Sequence, residues 1–336
     1  MRKPRRFITE GEGTRHYHVV SRIVNRDFVM GYEEKEFFRR SMRKLEVFCG
    51  VRIITYCIMS NHFHILLEIP ETDKLSDDDI LNRMKAIYSK RVVDEFSKQL
   101  EQARQHSKND LADAMLRPLL SRMHDLSMFM KDLKQRFTQW FNRVHERRGT
   151  LWEERFRCLL IEGSKHALYT VANYIDLNPV RSGICTDPKD YRYCGYGEAM
   201  GGSLVARNGL KWLAGLFQYS PNWRVVSKHY RLLLFETNAS QTDFKEDHSE
   251  MPSLNREDAL RAYGNGDALR RWQLLRCRIR YFSDGVVLGS RDFVDGFFES
   301  KRPYFGPNRK TGARRMKGGD WGGLCSIRDL AMSVIR

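Results

Sequence analysis

No apolar run in the chain approaches the ~18 residues of a membrane-spanning helix. Residues 1–14 are charged and carry glycine, with no apolar stretch of the kind a secretory leader needs. Cysteine is sparse and badly spaced for a framework: the seven are Cys49, Cys57, Cys158, Cys185, Cys194, Cys277 and Cys325, an odd number with no C-x-x-C pair. That pattern disfavours both a disulfide scaffold and a thiolate zinc site, and the expected setting is a reducing cytoplasm, away from membranes. Residues 72–147 lack glycine altogether and hold one proline, Pro118, which points to helices. Residues 301–318 contain no acidic residue.

Hydrophobic residues make up 41% of the chain and charged residues 30%, enough apolar side chain to build a packed core and to exclude wholesale disorder. At one domain per ~100–200 residues, 336 residues suggest two domains, or one with large insertions. Lys and Arg number 58 against 42 Asp and Glu, a net charge of +16. Such an excess favours a polyanionic partner, nucleic acid being the commonest. Residues 251–336 hold 17 basic residues against 9 acidic ones, so half of the net charge sits in the last quarter.

Strand signals lie at His16 to Val24, Val51 to Met59, Phe63 to Ile69 and Phe156 to Ile161, all rich in β-branched and aromatic residues. Tyr32 to Phe48 has helical spacing of Phe37, Phe38, Met42, Leu45 and Phe48, with Gly50 as its stop. Residues 72–147 read as two or more helices. Pro118 is a break or a helix start there, with the last helix from about Leu119 to Glu146. Ser164 is an N-cap for a helix to about Leu177, which Asn178-Pro179 ends. The β-α-β-β-α-β order predicts an α+β fold, a ferredoxin-like antiparallel sheet with packed helices and a long helical insertion. The expected division is a catalytic domain over 1–200, a connecting segment over 201–253 and a mainly helical, basic region over 254–336. Within the last, helices are expected from Arg256 to Arg280 and from about Ser290 to Ser300. The turn between Asp284 and Ser290 predicts a helical hairpin, or a helix-turn-helix that reads a duplex.

The sharpest chemical signal is Asn61-His62-Phe63-His64. On a strand, residues two apart share a face, so His62, His64, Leu66 and Glu68 point one way and Phe63, Ile65, Leu67 and Ile69 the other. Two imidazoles so placed can chelate a divalent metal, although an H-x-H alone more often marks a hydrogen-bonded pair. His16 and His18 form a second H-x-H; His16 is expected at the surface, and His18 is undecided. Tyr174 and Asn178, four apart, share a helix face. A tyrosine there can serve as a nucleophile and an asparagine can offer an amide oxygen to a metal. An isolated tyrosine, however, more often simply packs its ring.

Three segments in this order resemble a known family. Asn61-His62-x-His64 followed by Leu66-Leu67, then Trp152-x-x-Arg155-Phe156, then Tyr174-Ile-Asp-Leu-Asn178-Pro-Val-Arg181 resemble the single-tyrosine HUH transposases, most of all the REP-associated tyrosine transposases. The resemblance spans roughly residues 10–200. It implies Tyr174 as nucleophile, with His62, His64 and Asn178 as ligands of Mg²⁺ or Mn²⁺. It also implies cleavage of single-stranded or hairpin DNA through a 5′-phosphotyrosine, and rejoining by strand transfer. A monomer or a homodimer is compatible with it. Arg22, Arg155 and Arg181 are candidate phosphate contacts. So are Lys301, Arg302, Arg309, Lys310, Arg314, Arg315 and Lys317, with Tyr304 and Phe305 interleaved for base stacking. The alternatives are a DNA-binding regulator of the same fold that does not cleave, and a metal-dependent hydrolase that uses water.

Overall fold

The computed structural model describes residues 13–71, 74–235, 275, 279–284 and 286–328. Strand β1 (Arg15–Arg22) leads through a 3₁₀ turn at Val24–Arg26 to helix α1 (Tyr32–Cys49), then β2 (Arg52–Ile58) and β3 (His62–Ile69). Four helices follow: α2 (Asp77–Met84), α3 (Lys90–Gln105), α4 (Asn109–Leu120) and α5 (Leu126–Val144). Strand β4 (Arg157–Ile161) and helix α6 (Lys165–Asp176) complete the core. Its strands lie in the order β2-β3-β1-β4, with every neighbouring pair antiparallel. That is the ferredoxin-like arrangement expected from the element order.

Residue chemistry accounts for the boundaries. Gly50 ends α1 with φ of 64°, a left-handed cap that costs glycine nothing. Pro118 does not start the last insertion helix. Helix α4 runs through it to Leu120, and α5 begins at Leu126 because Asp125 accepts from the Met128 N–H at 2.7 Å. The stop at Asn178-Pro179 is also softer than expected. Leu177 caps α6, and a further turn, α7 (Asn178–Arg181), tolerates Pro179 in its first positions.

The glycine-rich stretch after residue 194 is ordered, as the short helix α8 (Gly195–Met200). It is followed by α9 (Leu204–Gly215) and α10 (Trp223–Phe235). Gly195 is required there: a Cβ would lie 2.1 Å from the Thr55 hydroxyl.

The C-terminal part is not a separate helical module. The expected helix from Arg256 to Arg280 falls almost wholly outside the described residues. Helix α11 (Arg280–Asp284) is followed by a strand, β5 (Val287–Gly289), and then α12 (Arg291–Ser300), capped by Ser290 as expected. Among the described residues, neither the helical hairpin nor the helix-turn-helix forms. Val287 and Leu288 instead pair in parallel with β4 at Leu160 and Ile161. Two short strands, β6 (Arg314–Arg315) and β7 (Cys325–Ser326), extend the sheet to seven strands. Three-residue strands lie below what alternation in a sequence can reveal.

Both sheet faces are covered. Phe63 packs on Phe38 of α1 and on Trp152, with ring centroids 4.6 and 5.5 Å away. Phe137, fully buried, joins that cluster from α5. Helices α6 and α9 cover the other face, where they lie on β2 and β3.

Candidate active site

The sheet face beneath α6 and α9 is the one that carries the histidines. Register places Arg22 opposite His62, Val20 opposite His64, His18 opposite Leu66 and His16 opposite Glu68. His64 is buried, and its Nδ1 lies 2.8 Å from Nε2 of His18, which is also buried. The His62 and His64 rings stand edge to face with centroids 5.2 Å apart, and His62 Nδ1 lies 2.6 Å from Asn61 Oδ1. Tyr174 comes down from α6 onto this group, its ring 6.1 Å from His64 and 6.3 Å from His18. The structure therefore brings together His62, His64 and Tyr174, residues more than a hundred positions apart.

Burial pushes His18 down to about 3 and holds His64 well below the ordinary imidazole range. The positive charges of Arg181 and Arg22 act on His64 in the same direction. Both rings are thus neutral at physiological pH, the form that can ligate a metal. Asn178, one turn beyond Tyr174, is buried, and its Nδ2 has no hydrogen-bond partner. An orphaned buried amide is costly, and one turned over to present oxygen is a ligand in waiting. Two imidazoles and an amide oxygen suit Mg²⁺ or Mn²⁺ with positions open for phosphate and water. Among the described residues, no group of three or more His, Cys, Asp or Glu forms a fuller metal cage.

Tyr174 itself is only 2% exposed. Phe282 of α11 packs on its ring at 4.6 Å, and the Arg181 guanidinium stacks over it at 4.0 Å. Arg181 also donates to the Tyr174 carbonyl at 2.6 Å and to the Leu275 carbonyl at 2.7 Å. It is thus a clamp joining α7, the tyrosine and the C-terminal segment. The helix carrying Tyr174 is fixed by Asp176, fully buried, whose carboxylate accepts from the Thr55 hydroxyl, the Tyr196 N–H and the Tyr230 hydroxyl. A register shift between Ile53 and Thr55 turns Thr55 onto this face.

His16 is not at the surface. It is 6% exposed, pairs with Glu68 at 3.2 Å and lies beside Trp212, because α9 covers that end of the sheet. Glu68, on the same strand face as the two proposed ligands, is tied up by His16 and by an ion pair with Arg52, so it is not poised as a base for Tyr174.

The expected phosphate contacts fall in two places. Arg22 lies opposite His62 in the sheet, and Arg155 is exposed two residues beyond Glu153, whose N–H donates to the Arg22 carbonyl at 2.9 Å. In the C-terminal group, Arg302 and Arg309 stack on Phe298, and Arg309 also stacks on Phe305. Arg302 donates to the Gly306 and Pro307 carbonyls, Arg309 to those of Gly312 and Ile327, and Arg314 to the Thr311 hydroxyl. These three build their own loop. Lys310, Arg315 and Lys317 are exposed, Lys301 is half-exposed, and Tyr304 is exposed while Phe305 packs on Phe298.

Residues 13–108 match the family model for transposases described as "Transposase IS200 like". Over that stretch the match agrees with the family resemblance read from the sequence. The matched stretch contains β1, His62 and His64; Tyr174 and Asn178 lie beyond it. A solved structure described as "Structure of the REP associates tyrosine transposase bound to a REP hairpin" is also similar, at 16% identity and a TM-score of 0.38, covering 61% of this chain and 90% of that one. No curated protein matches the chain. Among the described residues, no helix is long and apolar enough to cross a membrane.

Sequence reasoning left Asn61, His18 and Phe282 without a role. Asn61 was legible only as part of the motif. His18 needed the strand register, and Phe282 needed a tertiary contact.

Proposed function

We propose that this IS200-like chain nicks single-stranded DNA, beside or within a hairpin, and transfers the strand through a covalent phosphotyrosine. The observation that carries the reading is the meeting of Tyr174 with the His62–His64 pair on one covered sheet face. When bound, a divalent cation held by His62, His64 and Asn178 supplies Lewis-acid stabilisation of the charge that builds on the phosphate. Tyr174 attacks phosphorus with its phenolic oxygen. The new O–P bond replaces the bond to the 3′ oxygen, which leaves as a free hydroxyl after taking up a proton. The phenol proton passes to solvent, because Glu68 is otherwise engaged. The ester conserves the bond energy, so a different 3′ hydroxyl can reverse the step and join a new strand. Arg22 and Arg155 lie where they can meet the backbone next to the metal ligands, and Arg181 positions the tyrosine. Lys301, Lys310, Arg315 and Lys317 offer charge farther along the strand or on the hairpin stem. Arg302, Arg309 and Arg314 contribute to the same field.

The DNA reaches Tyr174 only when Phe282 moves off its ring, since the tyrosine is 2% exposed. The test is to trap the adduct, digest it and map the modified peptide. The expected modification is on Tyr174, and Tyr174→Phe abolishes it while DNA affinity changes little, because only one oxygen is lost. A covalent adduct on another tyrosine, or unaltered cleavage by Tyr174→Phe, overturns the assignment.

A further inference from the structure

The two proposed ligand histidines are each gripped at Nδ1, by different partners from different elements. Asn61 Nδ2 donates to the Arg26 carbonyl at 3.0 Å, which identifies the nitrogen end of its amide. The oxygen end therefore faces His62 Nδ1 at 2.6 Å. An amide oxygen cannot donate, so the hydrogen in that contact belongs to His62 Nδ1, and the ring's basic lone pair is on Nε2. The asparagine is itself locked in place. Its carbonyl accepts from the Ile23 N–H at 2.9 Å, and the loop it holds contains two successive left-handed residues, Asn25 and Arg26, with φ of 56° and 63°. Strain of that kind persists only where surrounding bonds enforce it.

His64 Nδ1 faces His18 Nε2 at 2.8 Å, and two neutral imidazoles share one hydrogen across that contact. Were His18 the donor, the His64 hydrogen would lie on Nε2, which could not then ligate. His18 occupies His64 Nδ1, so only Nε2 of His64 is free to ligate, and ligation there requires the shared hydrogen to sit on His64 Nδ1. His18 Nε2 then accepts, and the hydrogen of the neutral His18 ring lies on its Nδ1.

We propose that Asn61 and His18 are positioning residues that fix the tautomers of His62 and His64, so that both rings present the Nε2 lone pair to the divalent metal. The inference rests on the metal reading above and adds the groups that make two strand histidines a prepared site. Partners of this kind orient a ligand ring and raise its basicity, and their loss typically costs about 10- to 100-fold in metal affinity.

Two measurements on the full chain test it. Nitrogen-15 NMR of the metal-free protein should show the Nδ1–H tautomer for both His62 and His64. Titration with Mn²⁺ should then show Asn61→Ala and His18→Phe binding about 10- to 100-fold more weakly than the parent. His18→Gln, which keeps an acceptor oxygen, should recover most of the affinity, and thermal unfolding monitors the fold of each variant. An Nε2–H tautomer at His64 or His62 overturns the inference even if a variant fails to fold. Parent-like Mn²⁺ affinity in both Asn61→Ala and His18→Phe overturns it while leaving the metal reading intact. A parent that binds no Mn²⁺ overturns the metal reading, and this inference with it.

Discussion

At the scale of single residues, Asp176 links the chemistry to the fold. It sits two positions after Tyr174 in the helix that carries the tyrosine, and burial pushes its carboxyl up to about 6 in spite of hydrogen bonds from Tyr230, Tyr196 and Thr55. The folded state then holds a proton that the unfolded chain releases near the ordinary 3.8. Stability from this group is fully present below 3.8 and is lost as the pH rises through about 6. The slope is at most roughly 1.4 kcal/mol per pH unit. Denaturant unfolding of the parent across that window should show falling stability that levels off above it, and Asp176→Asn should flatten the curve. A parent-like slope in Asp176→Asn would remove Asp176 from this role. The residue types themselves were readable. His62, His64, Tyr174 and Asn178 stand out in the sequence because three motifs in order resemble one family, not because any of them is distinctive alone. What pairs with them was not readable, because His18 and Phe282 reach the site through strand register and through a contact across more than a hundred residues.

At the scale of elements, the six core elements appeared in the sequence with boundaries close to those observed, since each carries its own period and its own stop. The strand β5 did not, because three residues hold no usable alternation. Its consequence is large. The sequence alone suggests that a chain ending near Ser240 keeps every catalytic candidate and retains its fold and residual cleavage, the alternative being that residues 254–300 pack on the core and their loss gives insoluble protein. The structure supports that alternative. Truncation removes β5 from the edge of β4 and strips Leu275, Ile279, Phe282, Val287 and Leu288 from the core, all of them at most 1% exposed. Burial of such side chains is worth about 1.5–3 kcal/mol each. Five of them therefore rival the roughly 5–15 kcal/mol that holds a domain together. The truncated chain should lose cooperative thermal unfolding by circular dichroism. A sharp transition at the parent temperature would show that the C-terminal strand is dispensable.

At the scale of the molecule, a basic chain folds around a ferredoxin-like sheet with Tyr174 covered. The net charge of +16 is concentrated toward the C-terminal part, and that same part contributes Phe282 over the tyrosine and β5 beside β4. On the proposed reading, one segment of the chain would take part both in DNA binding and in exposing Tyr174. The central claim is metal-dependent attack by Tyr174 on single-stranded DNA. It is tested most directly by incubating the full chain with end-labelled single-stranded DNA carrying a hairpin, with Mn²⁺ or with a chelator, and resolving the products on a denaturing gel. The account predicts a labelled protein–DNA band and a shortened strand ending in a 3′ hydroxyl, both present with Mn²⁺ and absent with the chelator. Cleavage that proceeds with Mn²⁺ yet never yields a covalent band, even when quenched early, would contradict it in favour of hydrolysis by water.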